Sequence, residues 1–265
     1  MLLEGIKASQ YISTSTQSAK EHFDAPNYKI TSFDDEYNQM KVKNKNGVNV
    51  EFRAYNSGVA YRFITTSSKG EWTVKDEKAH FTFADDFTAY LPYSTNEKNP
   101  KAMAFQATYD VAPLSHSKPL EAFLPATVDC KTAKVTLMET DVENYPGMFV
   151  KGEKNSLTAT FAPSPKTFDH YPWRMQKYVT STHDYIAQGK GNRTFPWRIL
   201  AITHDDAEMP TNTLAYQMAS PSRIKGDTSW IRPGKVAWDW WNDWSISGVG
   251  FKAGINQETY RHYID

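Results

Sequence analysis

From residue 48 the chain alternates apolar and polar positions with a period of two. Val48, Val50, Phe52 and Ala54 interleave with Asn49, Glu51 and Arg53. After Asn56-Ser57-Gly58 the alternation resumes, with Val59, Tyr61 and Phe63 set against Arg62. Successive side chains of a strand point to opposite faces, so this pattern on both sides of an Asn/Ser/Gly turn predicts a β-hairpin. Further short strands are expected at 79–84, 134–139, 147–152, 156–161, 197–203 and 213–218, divided by turn-rich stretches such as Ala162-Pro163-Ser164-Pro165. A helical tendency appears near 99–106, and no repeat recurs at solenoid or propeller periods. Many strands with few helical periods predict an antiparallel β-sandwich over roughly residues 26–230.

The last stretch changes character. After the turn signal Ile231-Arg232-Pro233-Gly234 comes a nearly continuous apolar run, Lys235-Val236-Ala237-Trp238-Asp239-Trp240-Trp241-Asn242. Such runs mark strands buried on both faces, as in parallel sheets flanked by helices. Next, Asn256 is placed to cap a helix in which Ile255, Tyr260, Tyr263 and Ile264 form an apolar stripe. A strand, a loop and a helix make the first βα unit of a repeating α/β fold. Four tryptophans, Trp238, Trp240, Trp241 and Trp244, would leave an exposed patch that soluble monomers avoid if nothing covered them. Either this segment folds back onto the sandwich, or the chain is part of something longer. The latter is the expectation here, with domains at 1–230 and 231–265.

Composition narrows the function classes. The chain has 265 residues, 40% hydrophobic and 23% charged, the balance of an ordinary globular protein. Acidic and basic residues number 30 each and the basic ones are scattered, so no stripe invites a nucleic acid. No apolar run is long enough to span a bilayer as a helix. The start, Met1-Leu2-Leu3-Glu4-Gly5, lacks the features of a secretion leader. Aromatic residues reach 14%, which suits a β-sheet core and also suits stacking on sugar rings. A single cysteine, Cys130, rules out an internal disulfide.

Few residues form a chemical constellation. Glu139, Asp141 and Glu143 are spaced by two, which on a strand places three carboxylates on one face. Hard oxygens so arranged suit Ca²⁺; a solvated surface run is the competing reading. Trp238, Asp239, Trp241 and Asn242 combine stacking faces with hydrogen-bonding groups at the C-terminal end of the expected strand, the edge where α/β barrels build their sites. Barrel packing competes for the same tryptophans. Arg198, beside Trp197, reads better as a stacked structural arginine than as a ligand contact. The His183-Asp184 and His204-Asp205 neighbours would face opposite ways on a strand and make poor dyads. There is no nucleophile elbow, phosphate loop, zinc spacing or EF-hand pattern.

Together several segments resemble glycoside hydrolase family 97. They are Glu36-Tyr37-Asn38, residues 51–63, residues 139–149, residues 193–198, residues 233–242, Gly254-Ile255-Asn256 through Tyr260, and Tyr263-Ile264-Asp265. The resemblance implies a mainly β fold: an antiparallel β-super-sandwich followed by the opening βα unit of a (β/α)8 barrel. It implies Ca²⁺ in the active site with one glutamate from the N-terminal region, here Glu139, with Asp141 and Glu143 as lesser candidates. Trp238, Asp239, Trp241 and Asn242 would line the substrate end of the barrel. The implied substrate is an oligosaccharide with a terminal α-glucosidic or α-galactosidic bond, and the implied location is the periplasm or cell envelope. Family members either invert, with glutamates activating water, or retain, with an aspartate nucleophile. In both branches the catalytic residues come from later barrel strands, expected beyond Asp265; the first sandwich strands and a leader are likewise expected before Met1. Oligomeric state is left undetermined. A reading from another class is a non-catalytic carbohydrate-binding sandwich.

Overall fold

The computed structural model describes residues 2–3, 10–25, 28, 30–66, 70–96, 98–102, 108–173, 175–235 and 246–264. They fall into two units, 1–221 and 222–265. In the first, the strands in chain order are β1 (Leu2–Leu3), β2 (Tyr11–Asp24), β3 (Ser32–Asn44), β4 (Val48–Tyr55), β5 (Gly58–Thr65) and β6 (Glu71–Asp76). There follow β7 (His80–Thr82), β8 (Thr88–Leu91), β9 (Asp110–Pro113), β10 (Ala126–Asp129), β11 (Lys134–Thr140) and β12 (Met148–Glu153). The last are β13 (Ser156–Phe161), β14 (Pro165–His170), β15 (Lys177–Thr182), β16 (Ala187–Lys190), β17 (Arg193–Thr194) and β18 (Trp197–Thr203).

One large antiparallel sheet runs β2-β3-β4-β5-β18-β11-β10-β8-β9, with β17 also on β5. Two three-stranded sheets, β12-β13-β7 and β1-β6-β16, and a β14-β15 ribbon complete the unit. Leu137, Val128, Ala126 and Leu91 of the large sheet meet Val150, Leu157 and Phe81 of the β12-β13-β7 sheet in one buried cluster. Each such aliphatic side chain contributes roughly 1.5–3 kcal/mol on burial. Trp72, Val74, Ala187 and Phe195 build a second core around the β6-β16 pair. The mainly β, antiparallel sandwich read from the sequence is what the chain forms.

The hairpin of residues 48–65 is present, with Tyr55 opposite Gly58 across the turn. Its burial, however, runs against the usual rule. Glu51 is 1% exposed while Phe52 is 39% exposed. Period-two alternation normally buries the apolar set. Here Val48 keeps to the rule, but Glu51 is buried because it is internally paired. Arg62, directly across from Glu51, donates from Nε at 3.0 Å, and both Arg62 and Arg53 stack on the fully buried Trp197 ring at 4.3 and 4.9 Å.

The strands expected at 134–139, 147–152, 156–161 and 197–203 are β11, β12, β13 and β18. The expected strand at 213–218 is instead a short helix, α1 (Leu214–Met218). Leu214 and Met218 are four apart, so a helical turn puts both on one face, where they pack on Ala60, Trp197, Ile199 and Ala201. Near 99–106 the chain makes a 3-10 turn at Pro100–Ala102; residues 103–107 lie outside the described set.

In the second unit, α2 spans Gln257–Ile264. The Asn256 side chain caps it, accepting the Thr259 N–H at 2.9 Å. The strand expected before it, with Trp238, Asp239, Trp241 and Asn242, lies outside the described residues.

Candidate functional site: two carboxylates around one buried arginine

Glu139 and Arg198 face each other across β11 and β18. Both point to the same side of the large sheet as Leu137 and Leu200, their neighbours two positions along. Glu77, just past the end of β6, closes on the arginine from a third segment of the chain. Arg198 donates to Glu77 twice, Nε to Oε1 at 2.8 Å and Nη2 to Oε2 at 2.9 Å. Its remaining terminal nitrogen, Nη1, donates to Glu139 Oε2 at 2.5 Å. The Tyr145 hydroxyl donates to Glu77 Oε2 at 2.7 Å. Arg198 is 1% exposed, and its guanidinium also lies over the Phe161 and Tyr145 rings, at 5.0 and 5.8 Å.

The loop after β11 completes the cluster. The Met148 N–H donates to Glu139 Oε1 at 2.9 Å. A side chain on Gly147 would place its Cβ 3.3 Å from the same oxygen, so glycine leaves the carboxylate room. Arg193, stacked on Trp72 and Phe195 at 5.2 and 5.3 Å, donates through Nη2 to the Glu143 carbonyl and ties the loop to the β6-β16 core.

The three carboxylates at spacing two do not share a face. β11 ends at Thr140, and Asp141 adopts φ +58°, which turns the chain out of the strand. Asp141 accepts from the Ser220 N–H and hydroxyl, both at 2.8 Å, so it points away from Glu139's partners. Glu139 alone keeps the inward position. Among the described residues no group of three or more His, Cys, Asp or Glu side chains is placed to hold a metal.

Charge and burial act against each other here. Burial pushes the Glu139 carboxyl above the usual carboxylate range, against the pull of Arg198 and the Met148 N–H. For Arg198, burial pulls the pKa down, but the Glu77 hydrogen bonds and the two carboxylate charges outweigh it and hold the guanidinium charged. Burial, followed by the Glu77 charge, pushes the Tyr145 phenol far up, so it stays a donor. With both acids ionised, two negative charges meet one positive, a local balance of minus one. Each Glu139 oxygen accepts one hydrogen bond from the chain and keeps a further lone-pair site. Its side chain is 14% exposed, the most open of the three charged groups. That donor chemistry fits Ca²⁺, which takes six to eight hard oxygens. One carboxylate of this kind could offer one such oxygen and does not by itself make a site.

Glu139, expected from the family resemblance as a metal ligand, sits inward against Arg198, and Arg198 itself pairs with carboxylates and not with the neighbouring Trp197. Trp197 and Arg198 project to opposite faces, so the tryptophan stacks on Arg53 and Arg62 while Arg198 serves the carboxylates. Glu77 and Tyr145 were not singled out. The His-Asp neighbours form no dyads: Asp184 pairs with Lys75 at 2.8 Å, and Asp205 caps a 3-10 turn.

Comparison with known proteins places this architecture. Residues 3–221 match the family model described as the N-terminal region of glycosyl hydrolase 97. The chain belongs to glycoside hydrolase family 97. Among curated relatives of this family 97 chain is a retaining alpha-galactosidase of Bacteroides thetaiotaomicron, 40% identical over 95% of this chain and 39% of the relative. A probable retaining alpha-galactosidase of Streptomyces bingchenggensis is 26% identical over 80% of this chain and 28% of its own length. A solved family 97 enzyme from Pseudoalteromonas sp. strain K8, in complex with acarbose, shares the fold with a TM-score of 0.68. That likeness, at 18% identity, covers 97% of this chain and 37% of the other. The chain thus spans about two fifths or less of these proteins. No helix among the described residues is long and apolar enough to cross a membrane.

Proposed function

We propose that this chain is the N-terminal part of a Ca²⁺-dependent family 97 glycoside hydrolase that cleaves terminal α-galactosidic bonds with retention. The 40% identity to a retaining alpha-galactosidase, sustained over 95% of the chain, carries the choice of bond and stereochemistry. A retaining reaction needs two carboxyl groups about 5–5.5 Å apart, one as nucleophile and one as acid and then base. In this reading both come from the barrel beyond Asp265.

The sandwich supplies a fixed donor. Glu139 gives one carboxylate oxygen to the ion, and Arg198 and the Met148 N–H hold that carboxylate in one orientation. When bound, the ion offers a positive charge that grips sugar oxygens. The test is hydrolysis by the full-length protein of aryl α-galactoside and aryl α-glucoside, with NMR detection of the first-formed anomer. The expected result is α-galactoside turnover with an α-anomer product, while the 265-residue chain alone shows none. A β-anomer, or preference for the glucoside, would reject this branch. Sugar binding by the isolated chain with no activity in any longer form would favour a binding module instead.

A further inference from the structure

The geometry points to Glu77 as a positioning residue that keeps Arg198 from cancelling the charge of Glu139. This rests on the reading of Glu139 as a Ca²⁺ donor and extends it to a residue behind the site. An arginine beside a lone carboxylate neutralises it, which disfavours a cation there. In this cluster the guanidinium is already committed. Its Nε and Nη2 form the paired, fork-shaped contact with both Glu77 oxygens, at 2.8 and 2.9 Å, while Glu139 receives Nη1 alone. Tyr145 adds a further donor to Glu77 at 2.7 Å and none to Glu139. Glu77 is 2% exposed, whereas Glu139 is the more open carboxylate. The result is an oriented acid with an unspent negative charge. Arg198 fixes where the Glu139 oxygens sit, and Glu77 lets it do so without removing their charge. Partners one layer behind a metal ligand commonly change affinity 10–100-fold when altered.

The test is calorimetric titration of CaCl₂ into the full-length protein, with the Ca²⁺-dependent rise in Tm as a second readout. Glu77→Gln keeps the shape and deletes the charge; affinity should fall about tenfold or more. The double variant Glu77→Gln with Arg198→Met removes both members of the pair and restores the balance of minus one, so affinity should rise above that of Glu77→Gln, short of the parent by the orientation that Arg198 gave Glu139. A purely packing role for Glu77 would show no such recovery. Glu77→Asp retains the charge and should stay within about threefold of the parent, and it decides the matter with the double variant if Glu77→Gln does not fold. Unchanged affinity in Glu77→Gln, or a double variant as weak as the single one, overturns the inference. If Glu139→Gln binds Ca²⁺ like the parent, the donor reading itself fails, which is a separate result.

Discussion

Two buried ion clusters sit on opposite faces of the same sheet, and adjacent residues of β18 serve them. On one face Arg198 holds Glu77 and Glu139, backed by Tyr145 and Phe161. On the other, Glu51 lies between Arg62 and Arg53, which stack on Trp197, and Arg53 also covers Tyr37 at 4.1 Å. Within ion-pair range the second cluster has two cations to one carboxylate, with the buried Asp35 acting on Arg53 through its charge, and aromatic faces stack on both arginines. Arg62 holds Glu51 Oε2 closely, at 2.9 and 3.0 Å, but Arg53 is looser: its Nε and Glu51 Oε1 are 3.5 Å apart, and neither atom has a hydrogen-bond partner. The first has a surplus carboxylate with short, aimed hydrogen bonds. Stacked arginines around a single acid build a wall, and a surplus carboxylate held by an arginine builds a donor.

The largest expected effect comes from Arg198→Met. It leaves the buried Glu77 carboxylate without its counter-ion and Glu139 with one donor fewer, and breaking a buried pair this way costs about 3–5 kcal/mol. Urea unfolding should show that loss in the midpoint with an unchanged slope. Arg62→Met should cost less, on the order of 1–3 kcal/mol, because Arg53 remains beside Glu51 within ion-pair range. Equal costs for the two variants would erase the distinction drawn between the clusters.

Gly147→Ala sharpens the comparison from the other side. Its Cβ would sit 3.3 Å from Glu139 Oε1, a crowded contact that the carboxylate can relieve only by shifting. Stability should change by less than about 1 kcal/mol, within the range of ordinary single substitutions. Ca²⁺ affinity of the full-length protein should fall severalfold, because the donor is re-aimed. Loss of stability without loss of affinity would make Gly147 a packing residue only.

The sequence exposes these two regions unequally. The alternation at 48–63 announces a hairpin, yet it misplaces Glu51 and Phe52, because period two reports which residues share a face and not which face is covered. Glu51 is inside since Arg62 stands opposite it, a fact of register that a linear pattern does not carry. Glu139 comes from the family resemblance as an expected ligand, and its separation from Asp141 is visible only in the left-handed turn at Asp141. Glu77 was invisible for a physical reason. In Trp72-Thr73-Val74-Lys75-Asp76-Glu77-Lys78 the inward period of Trp72 and Val74 would next select Asp76, and instead Glu77 is buried. The strand ends there, the phase slips by one, and a charged run that reads as surface hides a core carboxylate. Likewise Leu214 to Met218 carries enough apolar residues for a strand, and only packing on Trp197 selects a helix.

An exposed pair supplies the reference against which both clusters are measured. On the β2-β3 hairpin, His22 Nδ1 lies 2.9 Å from Asp34 Oδ1, with both side chains 59% exposed. The hydrogen bond to Asp34 raises the His22 pKa above its ordinary value. A raised histidine pKa stabilises the folded state fully below the unfolded value of about 6.5, and that contribution fades as pH rises through the raised folded value. Water and salt screen the pair, so Asp34→Asn should leave thermal unfolding unchanged within error at pH 5.5 and at pH 8. The same variant should lower the His22 midpoint in an NMR titration. A clear drop in Tm at pH 5.5 would mean that exposed pairs stabilise this fold as buried ones do. Burial would then no longer separate the Arg198 cluster from any other salt bridge in the molecule.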